Sequence, residues 1–345
     1  TKDWIQVAEG KKGGKASRWG DNSHENYMKI DPEAQRRTLE FIERNAKAGK
    51  PFYIANWPML NSFLPNMKKC SISRSNLQAG LECNIDPFIG RLMDKLKELD
   101  IAENTLVVAM ADNGPMAHNP PPGGGFAETI FRGGKGDFLE GGVRVPGFAW
   151  WPGVIEPGQV VGDIIHETDL FTTFARLAGA LEYVPTDRII DGIDQTALLL
   201  NGDTNGRRDH VFIYAGPRLG ATVKGNYKRH WISPDPVGEA SGIPAAFYFL
   251  PMDPREKSPM LANLIHLKSP FNRMLLRHQL WKKKYPDASE VHGIPWTGFA
   301  ETAPGIEDLA RPKMDLESVP FDPLEYIEYL DQLPFDPNMD PHLGQ

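Results

Sequence analysis

Between residues 31 and 111 the spacing of apolar residues alternates through four segments, and that alternation limits the fold more than any other feature. "DPEAQRRTLEFIERNAKAGK" (31–50) has helical periodicity. Asp31 suits an N-cap and Pro32 a first turn, Leu39, Ile42 and Ala46 share one face, and Gly49 stops the helix. "PFYIANW" (51–57) is an apolar run of the kind expected for a strand buried on both faces. Asn76 to Leu99 returns to helical spacing, with Ile85, Ile89, Leu92, Leu96 and Leu99 inward, and "NTLVVAMA" (104–111) is a second buried run. Helix, strand, helix, strand at this spacing predicts α/β units: a mostly parallel sheet sandwiched by helices.

Further along, "VPGFAWW" (145–151) reads as another strand. "TDLFTTFARLAGA" (168–180) reads as another helix, opened by Thr168 or Asp169 and ended near Gly179. From about residue 206 the runs shorten. "HVFIYAG", "GATVKG", "YKRHWI" and "AAFYFL" predict a small antiparallel sheet, followed by a helix over 259–284. Prolines and scattered acids after residue 286 predict an irregular tail. The organisation expected is therefore 1–205, an α/β part; 206–285, a small antiparallel β subdomain with a helix; and 286–345, the tail.

A net charge of −7 gives no basis for binding nucleic acid or an anionic membrane surface. No apolar run is long enough to span a bilayer. The two cysteines, Cys70 and Cys83, allow a disulfide but do not establish one, and have no histidines at zinc-ligand spacing beside them. The opening "TKDWIQVAEG" has neither an initiator Met nor a signal peptide, so the chain reads as beginning inside a longer one.

"MADNGPMAHNPPPGGGFAETIFRGGKGDFLEGGVRVPG" (110–147) has neither helical nor strand periodicity, and long ordered loops usually carry function. Asp112 and Asn113 stand at the carboxyl end of a buried run, the edge where open α/β sheets bind ligands. A carboxylate and an amide oxygen suit Ca²⁺ or Mg²⁺, and the same Asp-Asn-Gly triplet reads equally well as a turn. Lys135 lies between glycines in "RGGKG", uncrowded and suited to an anion such as sulfate or phosphate. Taken alone it reads as a surface lysine. Its spacing is not that of a P-loop, since the upstream glycine is missing and Gly136 replaces the Ser or Thr.

The ordered set "DNG", "FRGGKGDFLEGGVRVP", "WPGVIEPGQ", "TDLFTTFARLAGA" and "DGIDQTALLLNG" resembles the sulfatase family of the alkaline-phosphatase-like superfamily, over roughly Pro51 to Glu256. "YKRHW" and "FYFLPMDPREKSPM" resemble the family's C-terminal sheet and its closing Asp-Pro-x-Glu segment. The resemblance implies the alkaline-phosphatase-like fold, incomplete at its N-terminus, with 1–205 the C-terminal part of the catalytic domain. It implies hydrolysis of a sulfate ester on a sulfated small molecule or glycan. Asp112 and Asn113 match metal ligands, usually to Ca²⁺, and Lys135 matches the lysine that contacts the sulfate. Arg132, Asp137, Glu140 and Arg144 fall in the same signature and read as scaffold charges that pair with one another to hold the loop. The family also makes a periplasmic or secreted location the expectation.

Two family features have no match in this sequence. The nucleophile, a formylglycine made within Cys/Ser-x-Pro/Ala-x-Arg, is expected in a segment before Thr1. "CSISR" (70–74) places Ile72 where Pro or Ala belongs and follows a strand already downstream of the nucleophile. It reads as a structural Cys70 beside the capping residues Ser73 or Ser75. Asn61 stands near the position of the family's usual acid histidine and cannot transfer a proton at neutral pH. His118 is the substitute candidate, and its plainer reading is a solvent-facing loop residue. These 345 residues alone are therefore expected to be inactive, completed by an N-terminal segment or partner chain, with homo-oligomerisation a further expectation. The alternatives are a phosphodiesterase or phosphonate hydrolase of the same superfamily, and an inert structural or interaction protein that kept the fold.

Overall fold

The structure, a computed structural model, describes residues 7–9, 17–20, 24–58, 84–115, 130–186, 189–216, 218–232, 246–260 and 265–285. Cys70, Ser73, Ser75, Cys83, Asn61, His118 and the tail from 286 lie outside them. In chain order the strands are β1 (Val7–Glu9), β2 (Ser17–Gly20), β3 (Val107–Met110), β4 (Gly147–Trp150), β5 (His210–Ala215), β6 (Arg218–Lys224), β7 (Tyr227–His230) and β8 (Phe247–Phe249). The α-helices are α1 (His24–Lys47), α2 (Asp86–Glu98), α3 (Glu140–Val143), α4 (Glu167–Leu177), α5 (Thr196–Asn201) and α6 (Ile265–Lys284). Among the described residues no helix is long and apolar enough to cross a membrane.

Helix α1 begins at His24, so Pro32 is interior to it and Asp31 is not its cap. The Asp31 carboxylate is instead buried and accepts from Asn84 Nδ2 at 2.6 Å. Ile42 is buried as its spacing predicts. Of the predicted helix over 76–99, residues 86–98 are helical, with Leu96 and Phe88 buried. His166, rather than Thr168 or Asp169, caps α4. Its ring nitrogen accepts from the Thr168 amide while Asp169 accepts from the His166 amide. Gly179, at φ 67°, ends that helix where expected.

The parallel sheet expected from the sequence is not seen among the described residues; every strand pair there is antiparallel. β3 pairs with β4, with Val107 opposite Trp150 and Met110 opposite Gly147. The run 51–57 belongs to no described strand. It lies along α1, where Phe52 meets the Phe41 ring edge-on and Asn56 Nδ2 donates to Thr38 Oγ1 at 2.8 Å. Tyr53 and Trp57 remain 72% and 82% exposed, so this run lacks the two covered faces its composition suggested.

β5 to β8 form the antiparallel sheet, in sequential order. One face packs Leu219, Trp231 and Phe247 against Phe271 and Leu275 of α6. The other packs Ile213 and Ala221 against Phe138 and Leu139, which belong to the glycine-rich segment before α3. A register shift on β5 and β6 lets Leu219 and Ala221 serve opposite faces. The sheet thus separates α6 from the segment that carries Lys135.

Candidate active site

Beyond β3 the chain turns out of the ladder at Ala111, whose amide donates to the Pro146 carbonyl at 3.3 Å. Asp112 follows, exposed, and then Asn113, half-buried. Two backbone bonds stitch this strip to the lysine segment. The Gly114 amide donates to the Gly142 carbonyl at 3.0 Å, and the Lys135 amide donates to the Pro115 carbonyl at 2.8 Å. The approach is so close that a Cβ on Gly114 would lie 1.7 Å from the Gly141 carbonyl oxygen. No other residue fits there without separating the two segments.

Lys135 sits at the exposed tip of a tight turn. The Asp137 amide donates to the Gly134 carbonyl at 2.9 Å, and the Gly134 amide donates to Asp137 Oδ2 at 3.1 Å. Gly136, at φ 93°, takes the left-handed backbone the turn requires. The lysine's backbone is fixed while its ammonium faces solvent.

Behind this turn lies a buried ionic network. Glu140 opens α3 and is 4% exposed. Its Oε1 accepts from Lys228 Nζ at 3.0 Å, and its amide donates to Glu256 Oε2 at 2.7 Å. Lys228 Nζ also lies 3.0 Å from Glu256 Oε1, which is 2.6 Å from His230 Nε2. Arg132 Nη1 donates to the Glu256 carbonyl at 3.2 Å, and Arg144 lies 3.7 Å from Glu140. Of the four charges expected to pair with one another, Glu140 and Arg144 lie within ion-pair distance. Arg132 and Asp137 each bond a backbone group.

Burial would raise the Glu256 carboxyl pKa, but bonds from His230, Lys228 and the Glu140 amide outweigh it and hold the group below its ordinary value. Burial likewise pushes His230 down, against the pull of Glu256, so the ring is neutral at pH 7. Its Nε2–H then donates to Glu256, and Nδ1, buried, has no partner among the described residues. Sequence reasoning missed Lys228, His230 and Glu256 as a unit. Two polar residues at i and i+2 on a short strand, facing inward together, were the available signal.

The donor atoms at Asp112 and Asn113 fit a hard cation. Asn113 Nδ2 donates to the Gly114 carbonyl at 2.8 Å, which leaves Oδ1 open as an acceptor. The Asp112 carboxylate is exposed and has no hydrogen-bond or ionic partner among the described residues. No group of three or more His, Cys, Asp or Glu residues is gathered for a metal among the described residues. The pair therefore offers two oxygens toward the roughly six to eight that Ca²⁺ takes.

Residues 17–180 match the family model for sulfatases. Steryl-sulfatase of Rattus norvegicus is 39% identical over 170 residues, which are 48% of this chain and 27% of that protein. N-acetylgalactosamine-6-sulfatase of Canis lupus familiaris is 35% identical over 199 residues, 57% of this chain and 37% of that protein. The solved PsFucS1 sulfatase from Pseudoalteromonas sp. superposes with TM-score 0.68 at 31% identity, covering 81% of this chain and 58% of that one. The chain belongs to the sulfatase family, and it spans less than two thirds of the length of each of these relatives.

Proposed function

We propose that the protein is a sulfuric ester hydrolase in which Asp112 and Asn113 hold a divalent cation and Lys135 binds the sulfate. The observation that carries this reading is the pair of backbone bonds, Gly114 to Gly142 and Lys135 to Pro115, that fix the acid-amide strip and the lysine turn side by side. The Lys135 ammonium, unencumbered and exposed, is free to donate to a sulfate oxygen and offset its charge, an electrostatic contribution that is often the largest in such sites. Bound by Asp112 and Asn113, Ca²⁺, or Mg²⁺ in its place, would polarise the sulfate oxygens as a Lewis acid. No Cys/Ser-x-Pro/Ala-x-Arg motif occurs in the sequence. These residues therefore hold the binding and charge-stabilising half of the site, and the formylglycine of the family belongs to an N-terminal segment.

The reading carries with it the parallel, helix-sandwiched sheet of the superfamily. Relatives named for steryl, N-acetylgalactosamine-6- and aryl sulfates support a sulfate ester of a small molecule or glycan without fixing the alcohol. The test is hydrolysis by the natural polypeptide that carries these residues, assayed on 4-nitrophenyl sulfate and on a bis-aryl phosphate diester. Turnover of the sulfate, lowered on the order of a hundredfold or more by Lys135→Ala, is expected. Preference for the diester would assign the protein to phosphodiester chemistry instead, and an unchanged rate in the Lys135→Ala variant would remove the lysine from the site.

A further inference from the structure

We infer that Glu256 is a positioning residue that sets the lysine turn, acting from the segment after β8 on the face of the β5–β8 sheet that this turn covers. The turn leaves the sheet's cover at Arg132 and returns to it at Glu140, and both ends are tied to this one residue. Arg132 Nη1 donates to the Glu256 carbonyl at 3.2 Å, and the Glu140 amide donates to Glu256 Oε2 at 2.7 Å. Lys228 bridges the two carboxylates at 3.0 Å from each. Nothing about the tether is loose, since Lys228 and Glu256 have side-chain exposures of 0% and Glu140 of 5%.

Glu256 itself stands at φ 50°, a left-handed backbone that a non-glycine residue keeps only where its surroundings over-determine it. The surroundings supply that constraint. The Glu256 amide donates to the Asp253 carbonyl at 3.1 Å. The Asp253 carboxylate accepts from the Lys257 and Ser258 amides at 3.0 and 2.8 Å. A rigid knot is thus built at "DPREKS", and its exits reach both ends of the segment bearing Lys135. Seven residues separate Arg132 from Glu140: three glycines, Lys135, Asp137 and the buried Phe138 and Leu139.

The consequence for function rests on Lys135 being the sulfate contact, whereas the mechanical claim does not. Hydrogen–deuterium exchange on the protein as it stands tests the mechanical claim. In Glu256→Gln, peptides covering 131–142 should exchange about ten- to a hundredfold faster, the cost of weakened charge-assisted bonds, while peptides over α4 keep their rates. Unchanged exchange over 131–142 overturns the inference. If that variant does not fold, Arg132→Ala removes one tie from a half-buried side chain, and the same local acceleration is expected, with the same contrary result. In the natural polypeptide, Glu256→Gln should lower kcat on an aryl sulfate, and the loss should vanish in the Lys135→Ala background. Losses that simply multiply would make Glu256 structural only. An unchanged rate for Lys135→Ala alone would instead count against the sulfate reading and leave the exchange result to decide the tether.

Discussion

Two side chains of the buried network, Glu256 and His230, contribute to the acid response of this protein. A folded-state pKa below the unfolded one means that the unfolded chain binds more protons, so stability falls as pH falls. Burial holds His230 below its ordinary 6.5, and its bonded partners hold Glu256 below 4.5. Stability should therefore decline in two stages, the first beginning near pH 6.5 and the second below about pH 4.5. Urea midpoints measured from pH 8 to 3 check this, and His230→Gln should remove the first stage while keeping the second. A wild-type midpoint that stays flat between pH 7 and 5 would contradict the neutral, buried ring. At this scale the placement of Asp112 and Asn113 just beyond a strand, and of Lys135 at an exposed glycine turn, was legible in the sequence because both patterns are local. The network was not legible, because Lys228 meets Glu140 across 88 residues and Glu256 meets it across 116. No spacing rule connects such positions.

Among the elements, α4 shows how a local signal and a distant one combine. Its capping box was partly readable, since Asp169 lies in the first turn. The same carboxylate is fully buried and also accepts from the Ile193 amide at 2.8 Å and from Arg208 Nε at 2.8 Å. One residue thus caps a helix and binds the segment leading into β5. Burial would raise its pKa, and the bonds from Arg208 and the Ile193 and His166 amides hold it below the usual aspartate range. Asp169→Ala leaves Arg208 without its carboxylate and the His166 and Ile193 amides unmet, and should cost about 3–5 kcal/mol in a denaturant titration. A loss under about 1 kcal/mol would show that water replaces the carboxylate, as at an exposed pair. The short strands β5 to β8 and helix α6 were foreseen because turns separate them at regular intervals. The run 51–57 was misread because composition reports apolarity and not partners. Its Phe52 packs on α1, and it pairs with no described strand.

Across the whole molecule, the β5–β8 sheet works as a wall, with α6 packed on one face and the lysine segment on the other. Large apolar side chains stay open elsewhere: Tyr53, Trp57 and Phe148 are each more than 70% exposed. They lie on the 51–57 run and on β4. The central claim is that the wall and the glycine seam bring the Asp112–Asn113 oxygens and the Lys135 ammonium to one oxyanion-and-cation pocket. A crystal structure of the natural polypeptide grown with Ca²⁺ and sulfate measures this directly. An ion is expected about 2.3–2.6 Å from Asp112 and Asn113 oxygens, with Lys135 Nζ bonded to a sulfate oxygen on that same ion. An ion bound elsewhere, or a Lys135 side chain directed away from the Asp112 carboxylate, would contradict it.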